Sequence, residues 1–274
     1  MQANRIVISS NSKNLKRKMS IAIYGKRNSI PVLVFPTQDG KHLDYERFGM
    51  VRTLRDYIDK GVISLFCVDS VDEISFSDLS GNPEKRIKNQ EKYYHYIVDE
   101  VVPFIHSFFH TKRKIFLTGC SMGGYHSSNF YFRRPDLFSG FLSLSGIFDA
   151  QILMGGYMSK LVYDNSPIHC LENMPLSHPY IKEYRRGALF LCVGRGRWEE
   201  EGLKTQPVLE NLLRGKKIDV FSDYWGYDVD HDWVWWKKQI LYFMPMILRK
   251  ISSKKKINPV LEKRGKECND FHRP

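Results

Sequence analysis

The 274-residue chain is 42% hydrophobic and 26% charged, an ordinary globular composition that fits one large α/β domain better than two small ones. Its formal charge of +12 gathers largely near the ends, at Lys13–Lys18 and at Lys254, Lys255, Lys256, Lys263, Arg264 and Lys266. No nucleic-acid motif with interleaved aromatics accompanies it, so the charge reads as solvated surface and no nucleic-acid partner is expected. Five scattered cysteines, an odd number without a C-x-x-C pattern, argue against a disulfide framework or a zinc site. With no apolar leader-like stretch near Met1 and no run approaching a membrane span, a cytoplasmic protein is expected.

Arg5–Ser10 and Ser20–Tyr24 read as two short strands joined by a basic turn, and Pro31–Phe35 as a third. Tyr45–Asp59 has helical spacing, with Phe48, Val51, Leu54 and Ile58 on one face. Val62–Val68 is rich in β-formers. Glu84–Phe109 reads as a long helix that Pro103 kinks or restarts. His106 and His110 stand at i, i+4 there, but without the Glu of an H-E-x-x-H metal site, so packing or surface roles are expected and no metal.

Lys114–Thr118 is an apolar strand that runs into Gly119-Cys120-Ser121-Met122-Gly123, and Met122–Phe132 reads as the helix that follows. Strand, G-x-S-x-G and helix together are the setting of a nucleophile elbow, whose tight turn lifts a serine hydroxyl above a sheet. Phe138–Ser145 is the next strand. The segment 149–186, rich in Gly and Pro, reads as a cap-like insertion over the sheet. Ala188–Val193 and Ile218–Phe221 are further strands, Leu203–Leu213 and Trp233–Arg249 helices. Alternating strands and helices predict a mostly parallel sheet with helices on both faces, an α/β-hydrolase-like domain over residues 1–250. Residues 251–274 read as a basic tail whose composition suits disorder.

A serine hydroxyl is a weak nucleophile and needs a histidine held in one tautomer by a carboxylate. Only His231 and His272 follow the last strand, and His272 lies in the tail, so His231 is the candidate base for Ser121. The acid should follow Ala188–Val193, where Glu199, Glu200 and Glu201 stand in a row. Asp230, Asp232 and Glu210 are weaker candidates. Position alone suggests the backbone N–H groups of Met122 and Gln38 as an oxyanion hole, the second from the loop after Pro31–Phe35.

Gly119-Cys120-Ser121-Met122-Gly123-Gly124, together with His231-Asp232-Trp233 and Trp236, resembles the esterase D-type family of esterases. That family includes S-formylglutathione hydrolases, ferulic-acid and enterochelin esterases, and mycolyltransferases. Asp164-Asn165-Ser166-Pro167 adds to the likeness, which spans about Pro31 to Met246. The resemblance implies an α/β-hydrolase fold, no cofactor, and acyl transfer from a small-molecule ester or thioester. It also implies Glu199 as the acid, by the spacing of Arg195-Gly196-Arg197-Trp198-Glu199. Two departures stand out: a Glu where the formylglutathione hydrolases carry Asp, and Pro36-Thr37-Gln38-Asp39-Gly40 in place of a His-Gly or Ser-Gly oxyanion loop. The leading expectation is a serine esterase or thioesterase. The alternatives are an acyltransferase that uses an alcohol, amine or thiol acceptor and whose basic surface could dock an acidic acyl carrier, and a non-catalytic binding protein of the same fold.

Overall fold

The computed structural model describes residues 5–267, with side chains placed through Ser252. Its strands are β1 (Arg5–Asn11), β2 (Lys18–Tyr24), β3 (Ile30–Phe35), β4 (Ile63–Val68), β5 (Ile115–Cys120), β6 (Phe138–Leu144), β7 (Ala188–Val193) and β8 (Val220–Tyr224). They form one sheet in the order β1-β2-β4-β3-β5-β6-β7-β8. β2 pairs antiparallel with both β1 and β4, and every pairing from β4 to β8 is parallel. β4, β5 and β7 are buried at every position, as strands covered on both faces must be, so they read as continuous apolar runs rather than alternations.

Helices α1 (Asp44–Arg47), α2 (Met50–Thr53) and α3 (Arg55–Asp59) lie on one face with α12 (Trp233–Glu267), where Met50, Leu54, Ile58, Ile240 and Phe243 close one core. Sequence spacing predicts a single helix here. The structure breaks it at Gly49, whose φ of 83° only glycine adopts freely, yet Val51, Leu54 and Ile58 stay buried. Phe48 is 47% exposed instead of buried and stacks on Trp233 at 4.7 Å.

The opposite face carries α4 (Pro83–His95), α5 (Val102–Phe109), α6 (Met122–Arg133) and α11 (Glu200–Gly215), with Ile97, Val101, Ile105, Phe130, Leu209 and Leu213 in the second core. Asn82 caps α4 by accepting from the Lys85 N–H, and Pro83 sits where a missing N–H costs nothing. A π-helical turn, Tyr96–Val101, joins α4 to α5. Pro103 lies in the first turn of α5, just after the wider turn, where a new α-helical segment starts as expected. His106 Nε2 meets the Arg113 carbonyl at 3.1 Å and His110 Nε2 meets Arg27 at 3.2 Å, so each of these histidines has a structural partner.

Residues 149–186 form four short helices: α7 (Ala150–Leu153), α8 (Lys160–Asp164), α9 (Pro167–Asn173) and α10 (Pro179–Arg185). A small core of Phe76, Ile87, Met122, Tyr125, Ala150, Met154 and Val162 packs this segment on α4 and α6. Glu91 on α4, Arg133 on α6 and Asn165 after α8 are joined by hydrogen bonds of 2.7–3.2 Å. α12 runs on past Ile251 to Glu267, beyond the expected end at Arg249; the rest of the expected tail, 268–274, lies outside the described residues. None of the helices, among the described residues, is long and apolar enough to cross a membrane.

Candidate active site

Strand β5 continues through Gly119 and Cys120, two residues past the expected end, and α6 begins at Met122. Ser121 alone makes the turn, with φ 56° and ψ −120°. A serine in that region costs about 1–3 kcal/mol, a strain that must be held by its surroundings. Its N–H donates to the Leu144 carbonyl at the end of β6 at 2.8 Å. The glycines permit the close approach. A Cβ on Gly119 would stand 2.5 Å from the backbone of Gly123, and a Cβ on Gly123 would stand 2.4 Å from the Phe35 carbonyl oxygen. Neighbouring Cys120 is buried against the Tyr45 hydroxyl, and burial pushes its thiol well above the usual range, which disfavours a thiolate there.

Chain segments leaving the next two strands surround the candidate acid, Glu199. Ser145 follows β6 with φ 53°, and its N–H donates to the Cys192 carbonyl on β7 at 2.7 Å. Its Oγ donates to Glu199 Oε1 at 2.6 Å, while Trp236 Nε1 donates back to Ser145 Oγ at 2.9 Å. The Gly194 N–H, just past β7, reaches the same Oε1 at 3.2 Å. Glu199 Oε2 lies 3.1 Å from His231 Nδ1, and Glu199 is only 1% exposed. A carboxylate can only accept, so opposite one, Nδ1 is the donor of this contact and Nε2 is left as an acceptor. Trp236 packs edge-on against the imidazole, ring centroids 4.9 Å apart.

The other expected acids are occupied elsewhere. Glu200 is exposed at the start of α11, and Glu201 pairs with Lys204 at 2.7 Å. Glu210 accepts from the Tyr224 hydroxyl and from Arg214. Asp232 caps α12, its Oδ1 accepting from the Val234 N–H at 2.7 Å. Asp230 is gripped by the Arg197 guanidinium and N–H, which hold its carboxyl below the usual range. That grip joins the acid loop to the histidine loop. The Gly196 N–H donates to the Val229 carbonyl, and the His231 N–H to the Arg197 carbonyl at 3.0 Å. Trp233, two residues past His231, packs edge-on on Tyr45, whose hydroxyl touches Cys120 beside the elbow.

The Met122 N–H opens α6, where a helix offers no internal acceptor. The loop after β3 runs alongside, its Phe35 and Pro36 carbonyls against Gly123. Gln38 stands in the exposed turn that the Gly40 N–H closes onto the Thr37 carbonyl at 2.9 Å. Ser145 escapes sequence reading, because a lone serine after a strand forms no pattern. Trp236 had one signal, its place in the late His-x-Trp-x-x-Trp segment.

The family model described as "Putative esterase" matches residues 12–245. The chain belongs to this esterase family. Among solved structures, it is similar to a ferulic acid esterase at 16% identity, covering 91% of this chain and 100% of that one with a TM-score of 0.70. It is similar to an S-formylglutathione hydrolase from Agrobacterium tumefaciens at 16% identity, 90% and 95% coverage and a TM-score of 0.69. MPT51 of Mycobacterium tuberculosis aligns at 14% identity, 91% and 100% coverage and a TM-score of 0.65. These likenesses establish the α/β-hydrolase fold of this family member. No curated protein matches it in sequence.

Proposed function

We propose that this esterase-family protein is a serine hydrolase that cleaves a small-molecule ester or thioester through an acyl-enzyme. Ser121 Oγ attacks the carbonyl carbon as His231 Nε2 takes its proton. The carbonyl oxygen becomes an oxyanion that the Met122 and Gln38 N–H groups bind. His231 then gives its proton to the leaving alcohol or thiol as the bond to carbon breaks. Water, losing a proton to the same nitrogen, attacks the acyl-enzyme and releases the acid and free Ser121. Glu199 holds the imidazole and stabilises its charged form.

The observation that carries this reading is the hydrogen bond from buried Glu199 to His231 in a protein whose serine occupies a strained turn between β5 and α6. Unpaired Cys67, Cys120, Cys170 and Cys192 favour a reducing, intracellular setting for the enzyme. The test is hydrolysis of a panel of acyl esters and thioesters by the wild type and Ser121→Ala. The reading expects turnover of at least one substrate and a loss of about 10⁴-fold or more in the variant. Equal rates for the two proteins would refute it.

A further inference from the structure

Apart from Glu199 and His231, one histidine–carboxylate pair among the described residues is wholly buried. His126 on α6 and Asp72, in a 3-10 turn (Asp72–Ile74) after β4, are each 0% exposed, with Nε2 3.1 Å from Oδ1. The other carboxylate oxygen, Asp72 Oδ2, accepts from the Asp39 N–H at 3.3 Å. One carboxylate thus bonds a residue near each half of the proposed oxyanion hole, without touching the Met122 or Gln38 N–H itself. His126 lies one helical turn beyond Met122, and Asp39 directly follows Gln38.

The surroundings fix this bridge. The Asp72 carbonyl accepts from the Ser75 and Ser77 N–H groups at 2.9 and 2.8 Å. The His126 ring is boxed by Phe35, Phe76, Tyr93 and Tyr125, with centroids 5.2–6.2 Å away. The same stretch after β4 holds the loop at two more points. The Ser70 N–H donates to the Gly40 carbonyl at 3.1 Å, and Asp69 Oδ1 accepts from His42 N–H and Nδ1 at 3.0 and 2.6 Å. A buried polar pair of this kind is a poor source of stability, because desolvation offsets the attraction. Apolar side chains would fill the aromatic box as well but would leave the Asp39 N–H without a partner.

We propose that Asp72 and His126 are positioning residues that set the oxyanion loop against the elbow, so that the Gln38 and Met122 N–H groups converge on the substrate oxygen. This rests on the serine-hydrolase reading. The experiment compares wild type, His126→Phe and Asp72→Asn, the second chosen because asparagine keeps the size and leaves no unpaired charge in the aromatic box, so that it folds if phenylalanine, which strands the Asp72 carboxylate, does not. Leu213→Ala, a core change remote from the site, controls for lost stability. Each protein is assayed for kcat and KM on an ester substrate and for inhibition by a trifluoromethyl ketone, which forms a tetrahedral oxyanion on the serine.

The positioning role expects kcat and ketone affinity to fall together by about 10- to 100-fold in both bridge variants, with KM within about twofold. Leu213→Ala should lower Tm and leave both constants near wild type. Bridge variants that fold and keep wild-type kcat and ketone affinity would overturn the positioning role while the hydrolase reading stands. A wild type that neither hydrolyses esters nor binds the ketone would overturn both.

Discussion

Hydrogen bonds from Ser145, Gly194 and His231, which follow three different strands, converge on the Glu199 carboxyl. A buried acceptor filled in this way is held in one orientation, and the imidazole with it. Glu199→Gln keeps the size but turns an amide N–H toward a donor. Its kcat on an ester substrate is expected to fall by about 10²- to 10⁴-fold, whereas Glu200→Gln and Glu201→Gln stay within about twofold. Equal losses in all three would contradict the assignment. Ser145→Ala strands the Trp236 indole N–H and removes a donor from Glu199, so thermal unfolding should report a loss of about 1–3 kcal/mol. Ser121 and His231 stood out as candidates in the sequence because G-x-S-x-G follows an apolar strand and a histidine follows the last one. Glu199 was distinguished from its two neighbours only by family resemblance. Which of three adjacent glutamates turns inward depends on the chain's path, here with Trp198 at φ 63° just before it.

At the scale of elements, the elbow is a three-body packing of β3, β5 and α6 that tolerates no extra atom. Gly123→Ala would drive a methyl into the Phe35 carbonyl, so the expected cost is about 3 kcal/mol, read by chemical denaturation. An unchanged denaturation midpoint would mean that the strand and helix sit farther apart. The Glu91–Arg133–Asn165 junction ties residues 149–186 to the elbow helix. Burial pushes the Glu91 carboxyl up, but hydrogen bonds and charge from Arg133 outweigh it and hold the group below its usual range. The folded value thus lies below the unfolded one, about 4.3. Its stabilisation is present above that value and is lost as pH falls through the lower, folded one. Glu91→Gln should therefore flatten the decline of Tm between about pH 5 and 3 relative to wild type. A parallel decline in both proteins would remove Glu91 from the acid response.

Strands β3 to β7 were readable as apolar runs, and the helices around them mostly by period. The breaks were not. The turn at Gly49 and the π-helical turn before Pro103 leave most apolar positions buried while redirecting or widening the backbone, so the sequence pattern looks continuous.

For the whole molecule, alternating elements predict a parallel sheet, yet not its order. That β4 lies outside β3, and that β2 runs antiparallel beside it, depends on long-range pairing that no local pattern encodes. This order places β5 fourth from one edge, between β3 and β6, so that the elbow meets the loop after β3 on one side and Ser145 on the other. The central claim is that this arrangement activates Ser121. The measurement that tests it most directly is the intact mass of wild type, Ser121→Ala and His231→Ala after treatment with a fluorophosphonate. The account predicts a single adduct on the wild type and none on either variant. An unlabelled wild type, or an adduct that persists in Ser121→Ala, would contradict it.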